Sequence, residues 1–181
     1  MLRRAGPLLL LTTLASATTL VRLDVGALTR ASTRVARVHV DAVGSRWAEP
    51  GRIVTEVRLT RLETWSGADL QTLRVLLPGG EIDGIAQHVE GVPAFRPGEE
   101  LVLFLAARGS AGAGPGAAHD LVGLSEGVWR VQRTESGEVL ARPEPLDGIR
   151  LVEAPGTRSS EARVPLSLAA LRARVEAARA P

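Results

Sequence analysis

The chain has no cysteine, no lysine and no tyrosine, and its aromatic residues are three tryptophans and two phenylalanines among 181 residues. Without cysteine there is no disulfide framework, no thiolate zinc site and no cysteine nucleophile. A lipid-anchored leader is excluded as well, since acylation requires a cysteine just after the cleavage site. Without lysine, all 22 basic residues are arginine. Little then titrates between histidine and arginine, so the pI of 10.7 reflects residue choice and not a basic surface. Two of those arginines, Arg3 and Arg4, lie at the extreme N-terminus, and the chain beyond them carries 20 arginines against 20 acids. A neutral chain of interspersed charge exerts no strong pull on phosphate, so nucleic acid is not an expected partner. Arginine in place of lysine throughout, with abundant Ala, Gly, Leu and Val, reads as a coding bias and carries no function.

The first 17 residues have the pattern of a secretory signal peptide. Arg3 and Arg4 supply the charged start, residues 7–14 form a short apolar run, and Ala15-Ser16-Ala17 has small residues where a signal peptidase reads them. That run is much shorter than the about 20 apolar residues that span a bilayer. The expectation is cleavage after Ala17, a mature chain beginning at Thr18 with no membrane span, and a periplasmic or extracellular location. The remaining 164 residues suit one domain. With no disulfide available, it must rely on an apolar core.

Period-two patterning dominates the chain beyond the leader. Ala36, Val38, Val40 and Ala42 alternate with Arg37, His39 and Asp41, as in a strand with one wet face. Glu49-Pro50-Gly51 marks a turn. Residues 52–64 form a longer strand whose inward phase shifts after Leu59, predicting a bulge near Thr60 and Arg61. Residues 73–77 give a third strand, closed by Pro78-Gly79-Gly80, and residues 85–90 a weak fourth. Residues 101–105, Leu-Val-Leu-Phe-Leu, are apolar on both faces and should be the central strand. Residues 108–118 read as a glycine-rich surface loop. Short strands near 121, 128–132 and 139–140 come next, the last two joined by a hairpin at residues 135–138. Asp24 is placed to cap a brief helical turn through Leu28. Leu168, Leu171, Val175 and Ala178 recur at helical spacing, with Arg172 and Glu176 as an exposed i,i+4 pair. The expected organisation is a leader at 1–17, a β domain at 18–142, an irregular linker at 143–164 and a helix at 165–180. The expected fold is mainly β: a small antiparallel barrel or sandwich, OB-like, with one C-terminal amphipathic helix.

Gly123-Leu124-Ser125-Glu126-Gly127 matches the nucleophile elbow of esterases. That motif works on a sharp strand-to-helix turn in an α/β sheet, with a histidine downstream. Here the following residues read as strand, and no histidine follows His119. A small serine hydrolase using Ser125 is therefore the alternative reading, not the leading one. His39 and Asp41 share a strand face, but two ligands do not make a metal site, and His119 reads as a loop end. Gly79-Gly80-Glu81-Ile82-Asp83-Gly84 lacks both the ligand sequence of a calcium loop and the lysine of a phosphate cradle, so it reads as a hairpin. Trp47, Trp65 and Trp129 are expected in the core. No catalytic residue, metal or cofactor is assigned.

Taken in order, residues 38–43, the strand from Ile53 to Leu62, Pro78-Gly79-Gly80, Pro93 to Glu99 before Leu101, and Gly123 to Gly127 before Trp129 form a set that resembles uncharacterised secreted bacterial β domains. These are in turn similar to the OB-type barrel of the netrin and tissue-inhibitor-of-metalloproteinase group. The resemblance spans residues 33–142 and implies a barrel. Those inhibitors chelate their target's zinc through an N-terminal cysteine, which this chain lacks, so no functional residue carries over. The expected function is non-enzymatic: an exported domain that binds another secreted protein, a protease among the candidates, with the 108–118 loop contributing. The other alternative is a passive envelope component.

Overall fold

The structure, a computed structural model, describes residues 19–109, 116–146, 150–152 and 163–180. The expected leader, most of the 108–118 loop and much of the 143–164 linker lie outside the described residues. The expected all-β class is present, with the helix at the C-terminal end.

The alternating stretch forms β2 (Arg34–Glu49), which turns at Pro50 and Gly51 into β3 (Arg52–Ser66). The two pair along nearly their whole length. Register slips where Asp41 and Leu62 each stand without an opposite residue. The expected bulge thus falls at Leu62, one residue beyond Arg61, and Leu62 is exposed instead of joining the inward row. β3 pairs with β4 (Thr72–Pro78), and β4 runs parallel to β8 (Ala118–Leu121). β8 returns antiparallel to the C-terminal half of β7 (Glu100–Ala107), and β7 pairs with β2. These five strands form a partly closed, OB-like ring.

The edge of β7 that receives β8 also receives β9 (Val128–Arg133), beside its N-terminal half. From β9 the sheet extends to β10 (Val139–Pro143) and the two-residue β12 (Leu166–Ser167). A short strand β1 (Thr19–Val21) pairs in parallel with β11 (Arg150–Val152). β5 (Gly80–Ile82) and β6 (Ile85–Gln87) make a separate hairpin. Its two turn residues, Asp83 and Gly84, both have positive φ. That is the primed turn a two-residue Asp-Gly hairpin favours.

Two helices complete the chain. The turn predicted behind Asp24 is α1 (Val25–Ala31), and the Asp24 carboxylate accepts from the Ala27 N–H at 2.6 Å. α2 (Leu168–Arg179) is capped by the Ser167 hydroxyl, which accepts from the Ala170 N–H. The expected Arg172–Glu176 pair is made, at 2.8 Å.

β7 separates two cores. Leu101, Leu103 and Leu105 face the barrel interior with Val38, Val40, Val57, Leu59 and Val75. Val102 and Phe104 face the other way, into a layer holding Trp65, Trp129, Leu28, Leu171 and Val175. Trp65 and Trp129 are buried as expected, whereas Trp47 is exposed near the tip of the β2–β3 hairpin. Because Leu103 and Phe104 are fully buried on opposite faces of β7, Leu103→Ala and Phe104→Ala should each lower stability by about 2–5 kcal/mol. Leu62→Ala, at the bulge, should stay within about 0.5 kcal/mol. Urea melts of the three variants check both values; equal losses would refute the assignment of Leu62 to the surface.

Candidate functional site

The esterase-like pentapeptide is a backbone crossing. Leu121 pairs with Leu105, and Val128 pairs with Leu103, so the chain must loop out between two neighbouring positions on one edge. It does so through a 3-10 turn, Leu124–Gly127. Gly123 takes a φ of +67°, and a Cβ on Gly127 would lie 2.2 Å from the Val122 carbonyl oxygen. Both glycines are therefore demanded by the closeness of the turn's ends. Ser125 is buried, and its hydroxyl donates to the Gly91 carbonyl at 2.9 Å. A nucleophile needs a base at that hydrogen, and a backbone carbonyl holds it here. A fluorophosphonate probe should leave the chain unlabelled; labelling that disappears in Ser125→Ala would refute this assignment.

Glu126, which sequence reading passes over, is fully buried. Its carboxylate accepts from the Leu23 N–H at 3.1 Å and lies 3.8 Å from Arg163. Burial pushes its pKa up, against the Leu23 bond and the charges of Arg163 and Arg22. Arg163 donates to the Glu126 carbonyl and lies 6.0 Å from the Trp129 ring centre. The pair holds the segments that lead to the two helices against the barrel. Nothing in the sequence signals it, because an acid inside a glycine-flanked turn looks exposed.

His119 is not a loop end. It lies in β8, buried, within 2.8 Å of an Arg34 guanidinium nitrogen. Arginine only donates, so Nε2 accepts, and the proton sits on Nδ1 facing the Arg74 carbonyl at 3.4 Å. Burial first, and the Arg34 charge second, lower the pKa. The ring closes the barrel as a neutral bridge and has no lone pair to spare for a metal. A folded-state pKa below the unfolded value means that the unfolded chain binds more protons. The His119 contribution to stability is then complete above about pH 6.5 and is lost as pH falls below it. Chemical melts between pH 5 and 7.5 should show this decline, and His119→Gln should flatten it. An unchanged slope in the variant would refute the neutral bridge.

The remaining polar candidates are dispersed. Asp41, the bulge residue, accepts from the Thr60 hydroxyl, and His88 pairs with Glu90 at the surface. Among the described residues, no group of three or more histidines and acids is placed to hold a metal ion, and no helix is long and apolar enough to cross a membrane. An arginine-rich cleft of about 560 Å³ opens beside Arg96, Arg130, Arg142 and Arg163. Arg130, at its centre, is already held by Glu99, Glu144 and the Ala94 carbonyl.

What remains is one end of the barrel. Pairing of β2 with β7 stops at His39. Val40 makes two further main-chain bonds, donating to Glu99 and accepting from Gly98. There the neighbouring chain turns away, since Pro97 has no N–H to continue the ladder and Gly98 adopts a φ of +88°. β2 runs on to Glu49 with β3 along one edge, and among the described residues no second strand pairs with the other. The alternation of paired and unpaired positions fixes which groups face that free edge. Ile53 directs its N–H to Gln87 and its carbonyl to Gly79, away from β2. Its partner Trp47 is therefore in a non-hydrogen-bonded pair, as are Ser45 and Val43 at steps of two. The main-chain groups of Val43, Ser45 and Trp47 face outward. The Trp47 carbonyl meets only a long 3.5 Å contact from Arg46.

Beside this edge lies a cavity of about 410 Å³. Val43 and Ser45 line it from β2, and Leu77, Val89, Val92 and Phe95 add apolar surface. The β5–β6 hairpin lies over the adjoining β2–β3 ribbon. A side chain at Gly80 would strike both the Ser45 and Thr55 hydroxyls, and Gln87 donates to the Gly51 carbonyl. Trp47, Ile85 and Val89 are 37%, 51% and 38% exposed around this end. The loop expected to recognise a partner cannot be compared with it, because residues 110–115 lie outside the described residues.

No family model matches this chain, and no curated protein or solved structure is significantly similar to it.

Proposed function

We propose that the chain is an exported, non-enzymatic protein-binding domain that takes an extended segment of its partner onto the free edge of β2. One observation carries this reading. Val43, Ser45 and Trp47 turn unpaired main-chain donors and acceptors outward beside an apolar cavity. Strand addition uses those two parts together: main-chain bonds give affinity, and pockets for alternate side chains give selectivity. Ser125 supports it indirectly, since its hydroxyl is buried in a turn and committed to Gly91. The netrin-type barrel belongs to the proposal as an architectural relative alone, and the leader at residues 1–17 supports export.

Proline tests the edge directly. At Val43 it removes an N–H that β3 does not use, so Val43→Pro should still melt cooperatively. At Ala42 it removes an N–H of the β2–β3 ladder, so Ala42→Pro should unfold or aggregate. Incubated with the secretome of the producing cells, the wild type should retain a specific protein that Val43→Pro does not. Equal retention by both, with Val43→Pro folded, would refute strand addition.

A further inference from the structure

We infer that the segment taken up by β2 is amphipathic and acidic, with apolar residues alternating with carboxylates; this rests on the strand-addition reading above. An added strand continues the pleat of β2, so its side chains divide between the two faces of the ribbon. On the inner face they meet the cavity, where Val43, Leu77, Val89, Val92 and Phe95 favour apolar groups. Among the described residues its ionisable lining is Glu81 and His88, and Glu81 disfavours a carboxylate beside it.

The outer face has the opposite character. Arg46 and Arg74 each lie 3.8 Å from Glu56, so one carboxylate is shared by two guanidinium groups. Arg58 forms no ion pair among the described residues, and it stands across from Ala42. Three arginines stand here against two acids, Glu56 and the Asp41 carboxylate that accepts from the Thr60 hydroxyl, so this face keeps an excess of positive charge. Ala42 and Gly44 are the small residues between Arg58 and the open edge, and a Cβ at Gly44 would meet nothing within 4 Å. An added strand lies two strand spacings, about 9.6 Å, from β3, a gap that an extended Arg58 and a glutamate side chain can close together over Ala42 and Gly44, while Arg46 meets it directly. Carboxylates at the outward positions of that strand would complete both.

The test uses two synthetic heptapeptides with blocked ends, one alternating valine with glutamate and one alternating valine with lysine. Binding to the secreted chain is measured together with NMR amide exchange at each residue. The glutamate peptide should slow exchange at Val43, Ser45 and Trp47 and bind at least tenfold more tightly than the lysine peptide. The preference should shrink at high salt and vanish in an Arg46→Gln, Arg58→Gln double variant. Equal binding of both peptides with protection at these amides would overturn the acidic assignment and leave strand addition standing. A preference that persists in the double variant would overturn the assignment of these arginines. If neither peptide protects the edge amides, bound or not, both readings are overturned.

Discussion

The barrel and the helical layer of this protein both depend on the burial of β7 on both faces and both edges. Leu101, Leu103 and Leu105 fill the barrel, and Val102 and Phe104 hold the helical layer. β2 occupies one edge, while β8 and β9 divide the other. A sheet that branches at one strand needs a chain crossing between the two branches, and residues 123–127 are that crossing. The constraint explains why the chain tolerates a non-glycine residue, Leu124, at a φ of +52° there. Few conformations join two adjacent positions on one edge in so few residues. It also explains how a chain with no cysteine holds together: one strand, buried on both faces, serves two cores.

Much of this was legible in the sequence where chemistry and period agree. Five consecutive apolar residues announce β7. The alternation from Ala36 to Val40 announces β2, and Asp83-Gly84 announces its hairpin. The phase slip in β3 was visible too, although the bulge falls at Leu62 because only the register shows which residue has no opposite partner. The closure of the ring was not legible. β8 is four residues, Ala-His-Asp-Leu, half of them polar, and it is held as a strand by partners on both sides. His119 looked like a loop residue because its burial requires Arg34 and the Arg74 carbonyl, which are distant in sequence. Gly123 to Gly127 left two readings open for a related reason: glycines that permit a tight turn and glycines that frame a nucleophile are written alike.

The candidate site was the least legible part. Pro97-Gly98 was readable as a tight approach to β7, but its consequence falls on another strand. By ending the approach there, it leaves residues 41–49 of β2 with no paired strand on that edge among the described residues. Only the pairing map relates the two. Free edges invite aggregation, and proteins blunt them with charges, bulges and shortness. Bulges at Asp41 and Ala48 bracket this edge, Arg46 stands on it, and three residues turn their main-chain groups outward. It is guarded against indiscriminate pairing and still offers room for one short strand.

For the strand addition proposed above, the energetics separate the roles of edge and cavity. Three residues with a donor and an acceptor each supply six main-chain bonds, at about 0.5–1.5 kcal/mol net apiece. Ordering about five residues of an incoming peptide costs about 1–2 kcal/mol each. The two sums are of the same size, so main-chain pairing alone leaves little net affinity. It is also indifferent to sequence, since every residue except proline presents the same groups. Apolar area buried in the cavity, at about 25 cal/mol per Å², must supply the surplus. Charges on the outer face add discrimination more than strength, because they remain partly in water. In the strand addition proposed above, affinity would therefore be decided at Val92, Phe95 and their neighbours, and selection among apolar partners at Arg46 and Arg58, while the edge itself would set only direction and register.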